Sequence, residues 1–368
     1  MTPLDYAHAT IETTQRKYKA ADLPPAHHFH YHQGVFLSGV YQTYLLDGRE
    51  SEFDYMKDWV DSNLTPDGKV LNQEDICLDD IMPGILIFPI YERTGDERYR
   101  HALDFLTDEI DHYRKNDEGG FWHRTDVPRQ MWLDGLYMGG PFMTEYGRRF
   151  NRPDMIDEAC KQALLMREKT EVKSTGLWRH VYDPDRVYPF SDPETGLSPE
   201  YWGRSVGWVP VALLDDLDNI PEDHPDRPKI IQALQDLLTA VCKYQGPDGR
   251  WWQVLDKVKQ AGNWPENSCS SLFVAAIAKA VRLGLLDESY LEQAKRGYQG
   301  VIDSLKWQDT TDKDGSPARD LLIGDVCIGT GPGTYQDYCD RPTSVNDLHG
   351  LGAFLLMCAQ MQRILDQE

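Results

Sequence analysis

Six times along the chain a polar segment of helical spacing runs into a loop, and the loop into an apolar helix rich in Gly, Ala and Ser. A helix that lacks a polar face has to be covered on every side, so each apolar segment must stand behind others of its kind. The polar segments fall at 3–19, 50–62, 96–115, 154–170, 225–244 and 288–307, and the apolar ones at 35–46, 78–93, from Asp134 onward, 206–217, 268–283 and 344–365. Pro83, Pro141 and Pro210 are placed by this reading within the first two turns of inner helices, where a missing donor does least harm. No stretch shows sustained strand alternation with turn signals. Six outer and six inner helices predict an all-α fold, an (α/α)6 barrel or six-hairpin toroid of about twelve helices. An open α-solenoid is the alternative, but the loops are unequal and there is no strict repeat. A chain of 368 residues would suggest two domains by length alone. The toroid instead takes up residues 1–368 as a single domain.

Charge narrows the partners. The net charge of -22 repels nucleic acid and anionic membrane surfaces at long range, so neither is expected. A small anionic ligand would need a local cationic pocket, which makes the positions of Arg and His more telling than the total. The seven cysteines contain no CxxC spacing and read as buried thiols in a reducing compartment. No basic stretch leads into an apolar one at the start, and no apolar run approaches membrane-spanning length, so a cytoplasmic location is expected.

In a toroid of this kind the loops entering the inner helices gather at one end. That collects Tyr31, His32, Asp79, Trp122, His123, Trp132, Asp134, His180, Trp202, Arg204, Trp208 and Trp251 around one mouth. Asp134 is the residue that most needs explaining, because carboxylates are scarce in apolar surroundings unless paired or working. One account is that it caps its helix. The other is that it works on a ligand with the Trp, His and Arg residues around it. Each Trp taken singly is a core residue more often than a platform. Clustered before the inner helices, aromatic faces suit the apolar faces of sugar rings, and His and Arg donors suit hydroxyls and carboxylates. The His-rich loop 27–32 has no HExxH motif or Cys partner, so no metal site is assigned to it.

Six segments taken together carry a family resemblance. They are His30-Tyr31-His32-Gln33-Gly34, Leu78-Asp79-Asp80-Ile81 with Pro83-Gly84, Phe121-Trp122-His123, Trp132-Leu133-Asp134-Gly135-Leu136-Tyr137, Trp202-Gly203-Arg204 with Gly207-Trp208, and Arg341-Pro342-Thr343 with Asn346-Asp347 and His349-Gly350. In order along nearly the whole chain, they resemble the unsaturated rhamnogalacturonyl hydrolases, or unsaturated uronyl hydrolases, of glycoside hydrolase family 105. The resemblance implies the (α/α)6 barrel independently of the helix count. It also implies a substrate ending in a 4,5-unsaturated uronic acid, the product a polysaccharide lyase leaves. By position it makes Asp134 the catalytic acid/base and Asp79 its carboxylate partner. Tyr31, His123, His180, Trp202, Arg204 and Trp208 then match positions that contact the unsaturated ring or shape its pocket.

The chemistry follows from the substrate. A vinyl ether is hydrolysed by protonating the carbon remote from the ether oxygen, and water captures the resulting oxocarbenium ion. Asp134 would protonate C4 and then take a proton from the water adding at C5, each step restoring the other's protonation state. No cofactor is required. The acid must start protonated near neutral pH, and the expectation is that Asp79 and burial against Trp132 raise Asp134 more than the helix N-terminus lowers it. Unsaturated galacturonyl-rhamnose from rhamnogalacturonan is the leading substrate, and unsaturated glucuronyl fragments of ulvan or arabinogalactan are the alternative. The loop 183–200 and the segment 309–319 are expected to shape the outer subsite.

Other classes fit less well. An inverting glycosidase would use two carboxylates on a saturated substrate. A sugar epimerase would rely on paired histidines. A terpene cyclase would need a third acidic residue beside Asp79-Asp80. A non-catalytic sugar-binding toroid gives no reason for carboxylates on successive inner helices.

Overall fold

The six inner helices form a closed ring. The structure is a computed structural model that describes residues 1–71 and 76–367. In chain order the helices are α1 (Pro3–Lys17), α2 (Tyr31–Asp47), α3 (Glu50–Ser62), α4 (Leu78–Ile81), α5 (Ile87–Thr94), α6 (Glu97–Asp111), α7 (Asp134–Phe150), α8 (Pro153–Thr170), α9 (Gly203–Leu217), α10 (Arg227–Cys242), α11 (Asn267–Arg282), α12 (Leu291–Ser304), α13 (Tyr335–Cys339) and α14 (Leu348–Leu365). A 3-10 turn, Met82–Leu86, joins α4 to α5, so these segments act as one inner helix. Going round the ring, α2 touches that composite helix, which touches α7, then α9, α11 and α14, and α14 returns to α2. That last contact separates a toroid from an open solenoid. The outer helices α1, α3, α6, α8, α10 and α12 back onto the ring. No helix among the described residues is long and apolar enough to cross a membrane.

Local sequence explains the helix ends. Thr2 caps α1 by accepting from Asp5 N at 3.1 Å, while its own amide donates to the Asp5 carboxylate at 2.7 Å and Pro3 occupies the first turn. The inner helices α2 and α9 begin at Tyr31 and Gly203, several residues before the start that periodicity suggests, and neither has a side-chain cap. With α9 starting that early, Pro210 falls inside the helix, as does Pro141 in α7, beyond the tolerant first turns.

Small residues let the inner helices approach. A Cβ on Gly352 of α14 would come within 2.4 Å of the Val35 carbonyl carbon of α2, and one on Gly39 within 2.5 Å of Leu355 Cβ. Because backbone cannot yield as a flexible side chain does, Gly352→Ala should cost roughly 1–3 kcal/mol by forcing the helices apart. Urea denaturation measures this. The same change at Gly48, where a Cβ would meet nothing within 4 Å, spares packing and strains only its left-handed φ of 76°.

Strand structure is confined to the loops. β1 (Met131–Trp132) pairs with β2 (Val181–Tyr182), β3 (Lys306–Thr311) with β4 (Pro317–Leu322), and β5 (Val326–Cys327) with β6 (Thr343–Ser344), all antiparallel. The β3–β4 hairpin replaces the end of the outer helix expected to run to Trp307. It packs on α1, where Arg16 Nε donates to Asp320 at 2.8 Å and Leu321 N to Thr13 Oγ1 at 2.9 Å.

Candidate active site

The mouth at the N-terminal ends of the inner helices holds a cavity of about 650 Å³, within the range of small-ligand pockets. Of the residues singled out from sequence, Tyr31, His32, Asp79, His123, Trp132, Asp134, Trp202 and Arg204 line it. His180 is fully buried just behind Asp134. Trp208 and Trp251 are elsewhere: both are 0% exposed, Trp208 stacked on Tyr137 at 4.9 Å and Trp251 packed on Phe273 at 5.3 Å in the core. Trp122 is half-buried and outside the cavity lining. The cavity is also lined by Arg341, from the last of the six quoted segments, and by residues that no motif marked, among them Arg124, Asp126, Tyr188, Phe190 and the 329–332 turn. The loop 183–200 therefore reaches the cavity, as expected, whereas the segment 309–319 does not.

Short pairings bring distant residues together. The β1–β2 register sets Trp132 opposite Val181, and Leu133 N donates to the His180 carbonyl at 3.0 Å. Asp134 and His180 thus meet: Nε2 of His180 is 3.3 Å from Oδ2 of Asp134, not aligned as a hydrogen bond, and both atoms are buried without another partner. On its other side His180 Nδ1 is 2.7 Å from the Tyr338 hydroxyl. Tyr338 carries no sequence signal, since it sits in the short α13 far along the chain. The tautomer that avoids aiming a lone pair at an ionised Asp134 carries its proton on Nε2, with Tyr338 donating to Nδ1.

Asp134 does not cap its helix. α7 starts at Asp134 itself, and the capping position, Leu133, has no side-chain bond. In the Asp79-Asp80 pair the two carboxylates divide the work. Asp80 accepts from Cys77 N at 3.0 Å and contacts His30 Nδ1 at 3.1 Å, while Asp79 faces the cavity with His123 Nε2 3.7 Å away. His123 stacks on Trp132 at 4.6 Å, and Trp132 meets His180 edge-on at 5.3 Å. The two carboxylates and their histidines are therefore held by one aromatic stack.

Electrostatics part the two carboxylates in the opposite sense to that expected from sequence. Burial pushes Asp79 above the ordinary carboxylate value, helped by Asp80 and Asp134 and opposed by His123 and His30. Burial also works to raise Asp134, but His180, His123 and Arg204 outweigh it and hold Asp134 below the ordinary value. His180 itself is lowered, chiefly by burial, and stays neutral. Of the two carboxylates, Asp79 is therefore the one shifted toward its protonated form and Asp134 the one shifted toward its anion. The sequence showed the like-charge partner, and the three cationic or donor groups on Asp134 emerged only in three dimensions.

Arg204 supplies the cation. Its guanidinium lies 4.4 Å from the Trp202 ring centroid and is 1% exposed, with Nη1 donating to Cys327 O at 2.6 Å and Nη2 to Ile328 O at 3.0 Å. Glu266, fully buried, stands 3.9 Å away. Its carboxylate also accepts from Cys327 N at 3.0 Å.

Among the described residues one group could hold a metal ion, His32, Asp347 and His349, whose ligand atoms lie within 4.8 Å of one another. His349 is turned toward Asp347 at 2.8 Å and toward the Cys327 carbonyl at 3.0 Å, which ties this corner to the Arg204 loop. Burial, with the charges of His349 and His30, lowers His32 to about 3. A second cavity, about 450 Å³, opens at the far end of the ring, where Asp215 and Asp218 clamp Lys279 at 2.7 and 2.6 Å and no histidine is present.

Comparison with known proteins shows the family and the fold. The family model described as Glycosyl Hydrolase Family 88 matches residues 5–365. A solved structure from C. acetobutylicum, a glycoside hydrolase from family 105, is 32% identical with a TM-score of 0.88, covering 97% of this chain and 99% of that one. A 24.9 kDa protein in the picA locus of Rhizobium radiobacter is 32% identical over 229 residues, 61% of this chain and 97% of that protein. The unsaturated rhamnogalacturonyl hydrolase YesR of Bacillus subtilis is 25% identical over 279 residues, 74% of this chain and 75% of that protein.

Proposed function

The chain belongs to Glycosyl Hydrolase Family 88, and on that premise we propose that it removes a 4,5-unsaturated uronic acid from the non-reducing end of lyase-generated oligosaccharides by hydrating the C4=C5 double bond. Unsaturated galacturonyl-rhamnose is the leading substrate. The observation that carries this reading is the pair of buried carboxylates in one cavity, driven apart in acidity, beside a buried arginine and a stack of rings. Paired groups pushed in opposite directions are how a site divides acid from base.

The substrate's carboxylate seats toward Arg204. Its negative charge offsets the pull of that cation on Asp134 and raises the affinity of Asp134 for a proton. Asp134 then protonates C4, and positive charge develops between C5 and the ring oxygen. Water adds to C5 and returns its proton to Asp134, whose anionic form His180 Nε2–H has stabilised meanwhile. The hemiketal opens, the glycosidic bond is lost, and the uronate leaves as an open-chain keto aldehyde. Asp79, whose affinity for a proton is raised, stands as the carboxylate partner of Asp134.

Two tests arise directly. Offered the saturated and unsaturated forms of one disaccharide, the protein should consume the unsaturated form alone, with loss of alkene absorbance. Consumption of the saturated form would point to an ordinary glycosidase. The pH profile is the second test. The reacting state needs its proton, so rates are full at low pH and fall as pH rises through the controlling pKa. kcat/KM reports the free site and kcat the complex, where substrate charge has raised Asp134, so the alkaline limb of kcat should lie at higher pH than that of kcat/KM. Coincident limbs would contradict the proposed role of the substrate carboxylate.

Galacturonate and glucuronate differ at C4, and elimination makes that carbon planar in both. What separates the leading substrate from the ulvan or arabinogalactan alternative is therefore the anomeric linkage and the next sugar. All seven cysteines are free thiols, which supports a cytoplasmic site of action on imported fragments.

A further inference from the structure

The outer edge of the cavity carries two aromatic rings that the chemistry above does not use. Tyr188 and Phe190 sit half-buried on the 183–200 loop and line the same cavity as Asp134. Their rings stack at 5.7 Å with an interplanar angle of 20°. Aromatic rings on a surface loop are costly unless covered, and these two face the opening rather than the core.

The loop that bears them is braced. Asp183, 0% exposed, accepts from Asp185 N at 3.2 Å, Val187 N at 3.0 Å, Tyr188 N at 3.2 Å and Ser191 Oγ at 2.7 Å. Asp183 N in turn donates to the Gly196 carbonyl at 2.8 Å, closing the loop on itself. Gly196 is required there, because its φ is 75° and a Cβ would stand 2.3 Å from the Asp183 carbonyl oxygen. One buried carboxylate thus fixes the backbone of the aromatic pair before any ligand arrives, which limits the ordering cost of binding.

We propose that Tyr188 and Phe190 form an outer subsite that stacks on the sugar next to the unsaturated uronate, an uncharged pyranose with an apolar face such as a 6-deoxyhexose. This rests on the reading of the cavity given above. The surroundings favour a neutral ring. Burial and the nearby carboxylates of Asp183, Asp126 and Asp185 push the Tyr188 hydroxyl up in pKa, so acidic groups surround that ring. The nearby cation Arg124 is held at two points by Asp126, at 2.9 and 2.8 Å.

The experiment compares unsaturated galacturonyl-rhamnose with the methyl glycoside of the same unsaturated uronate, which has no second ring. Tyr188→Ala and Phe190→Ala should each raise KM for the disaccharide about tenfold, leave kcat within about twofold, and leave the methyl glycoside unchanged. Asp183→Ala keeps both rings but frees the loop, and should show the same split. Unchanged KM for the disaccharide, or an equal loss on both substrates, overturns the proposal. Calorimetry with Asp134→Asn protein separates it from the catalytic reading. Tighter binding of the disaccharide than of the methyl glycoside, abolished by Tyr188→Ala, supports the platform whatever the turnover. Equal affinities overturn it even in an active enzyme.

Discussion

Asp134→Asn should lower kcat/KM on unsaturated galacturonyl-rhamnose by at least about a thousandfold, towards the upper end of what a positioned acid/base contributes. Asn has nearly the same volume and keeps an oxygen for His180, so the cavity should not collapse. It cannot carry a proton to C4 or accept one from water. Because His180, His123 and Arg204 outweigh burial and favour the Asp134 anion, removing the charge should lower thermal stability modestly. Loss of activity in a protein that still melts cooperatively is the expected pair of results. A variant within tenfold of wild type would remove Asp134 from the chemistry.

Arg204→Met should have the second largest effect, and on two observables. The guanidinium holds the Cys327 and Ile328 carbonyls and faces the fully buried Glu266, so its loss takes the cation from a buried carboxylate that keeps its bonds from Ser268, Cys269 N and Cys327 N. With those bonds kept, the cost is about 3 kcal/mol, the low end for breaking a buried pair, readable as a shift of the urea midpoint. The substrate carboxylate would also lose its counter-charge, so KM should rise about a hundredfold. Arg204→Lys should recover part of the stability and little of the affinity, since an ammonium cannot span carbonyls and a carboxylate as a planar fork does. A Met variant with normal KM would show that the carboxylate is bound elsewhere.

The helices were legible because their signal is local. The outer helix Glu50–Ser62 runs between the same residues that periodicity marks. The inner starts were less legible: His30 and Trp202 stand at the capping positions without a side-chain bond, so Tyr31 and His32, and Arg204 with them, belong to first helical turns rather than loops. The hairpin from Lys306 to Leu322 had one usable sign, the Asp312-Lys313-Asp314-Gly315 turn with Gly315 at φ 87°, but its strand faces are mostly exposed and give no alternation.

At the site, the two carboxylates could be found because each opens an inner helix. Their acidities could not, because His180 reaches Asp134 only through the β1–β2 register and Tyr338 arrives from a distant short helix. Trp208 and Trp251 show the limit of composition, since a Trp in a core and a Trp in a mouth read alike until packing places them. Tyr188 and Phe190 went unmarked because their loop has no periodicity, and Asp183, which shapes it, acts through backbone amides.

The account stands on the bond that is attacked being the alkene and not the glycosidic linkage. A sulfur-linked analogue of unsaturated galacturonyl-rhamnose tests this most directly, because a thioglycoside resists protonation of its leaving group while its enol ether is intact. Alkene absorbance should be lost from the sulfur-linked and oxygen-linked substrates at rates within about tenfold of each other. An inert thioglycoside beside a rapidly cleaved oxygen-linked substrate would contradict hydration at C5 and assign the chemistry to the glycosidic bond.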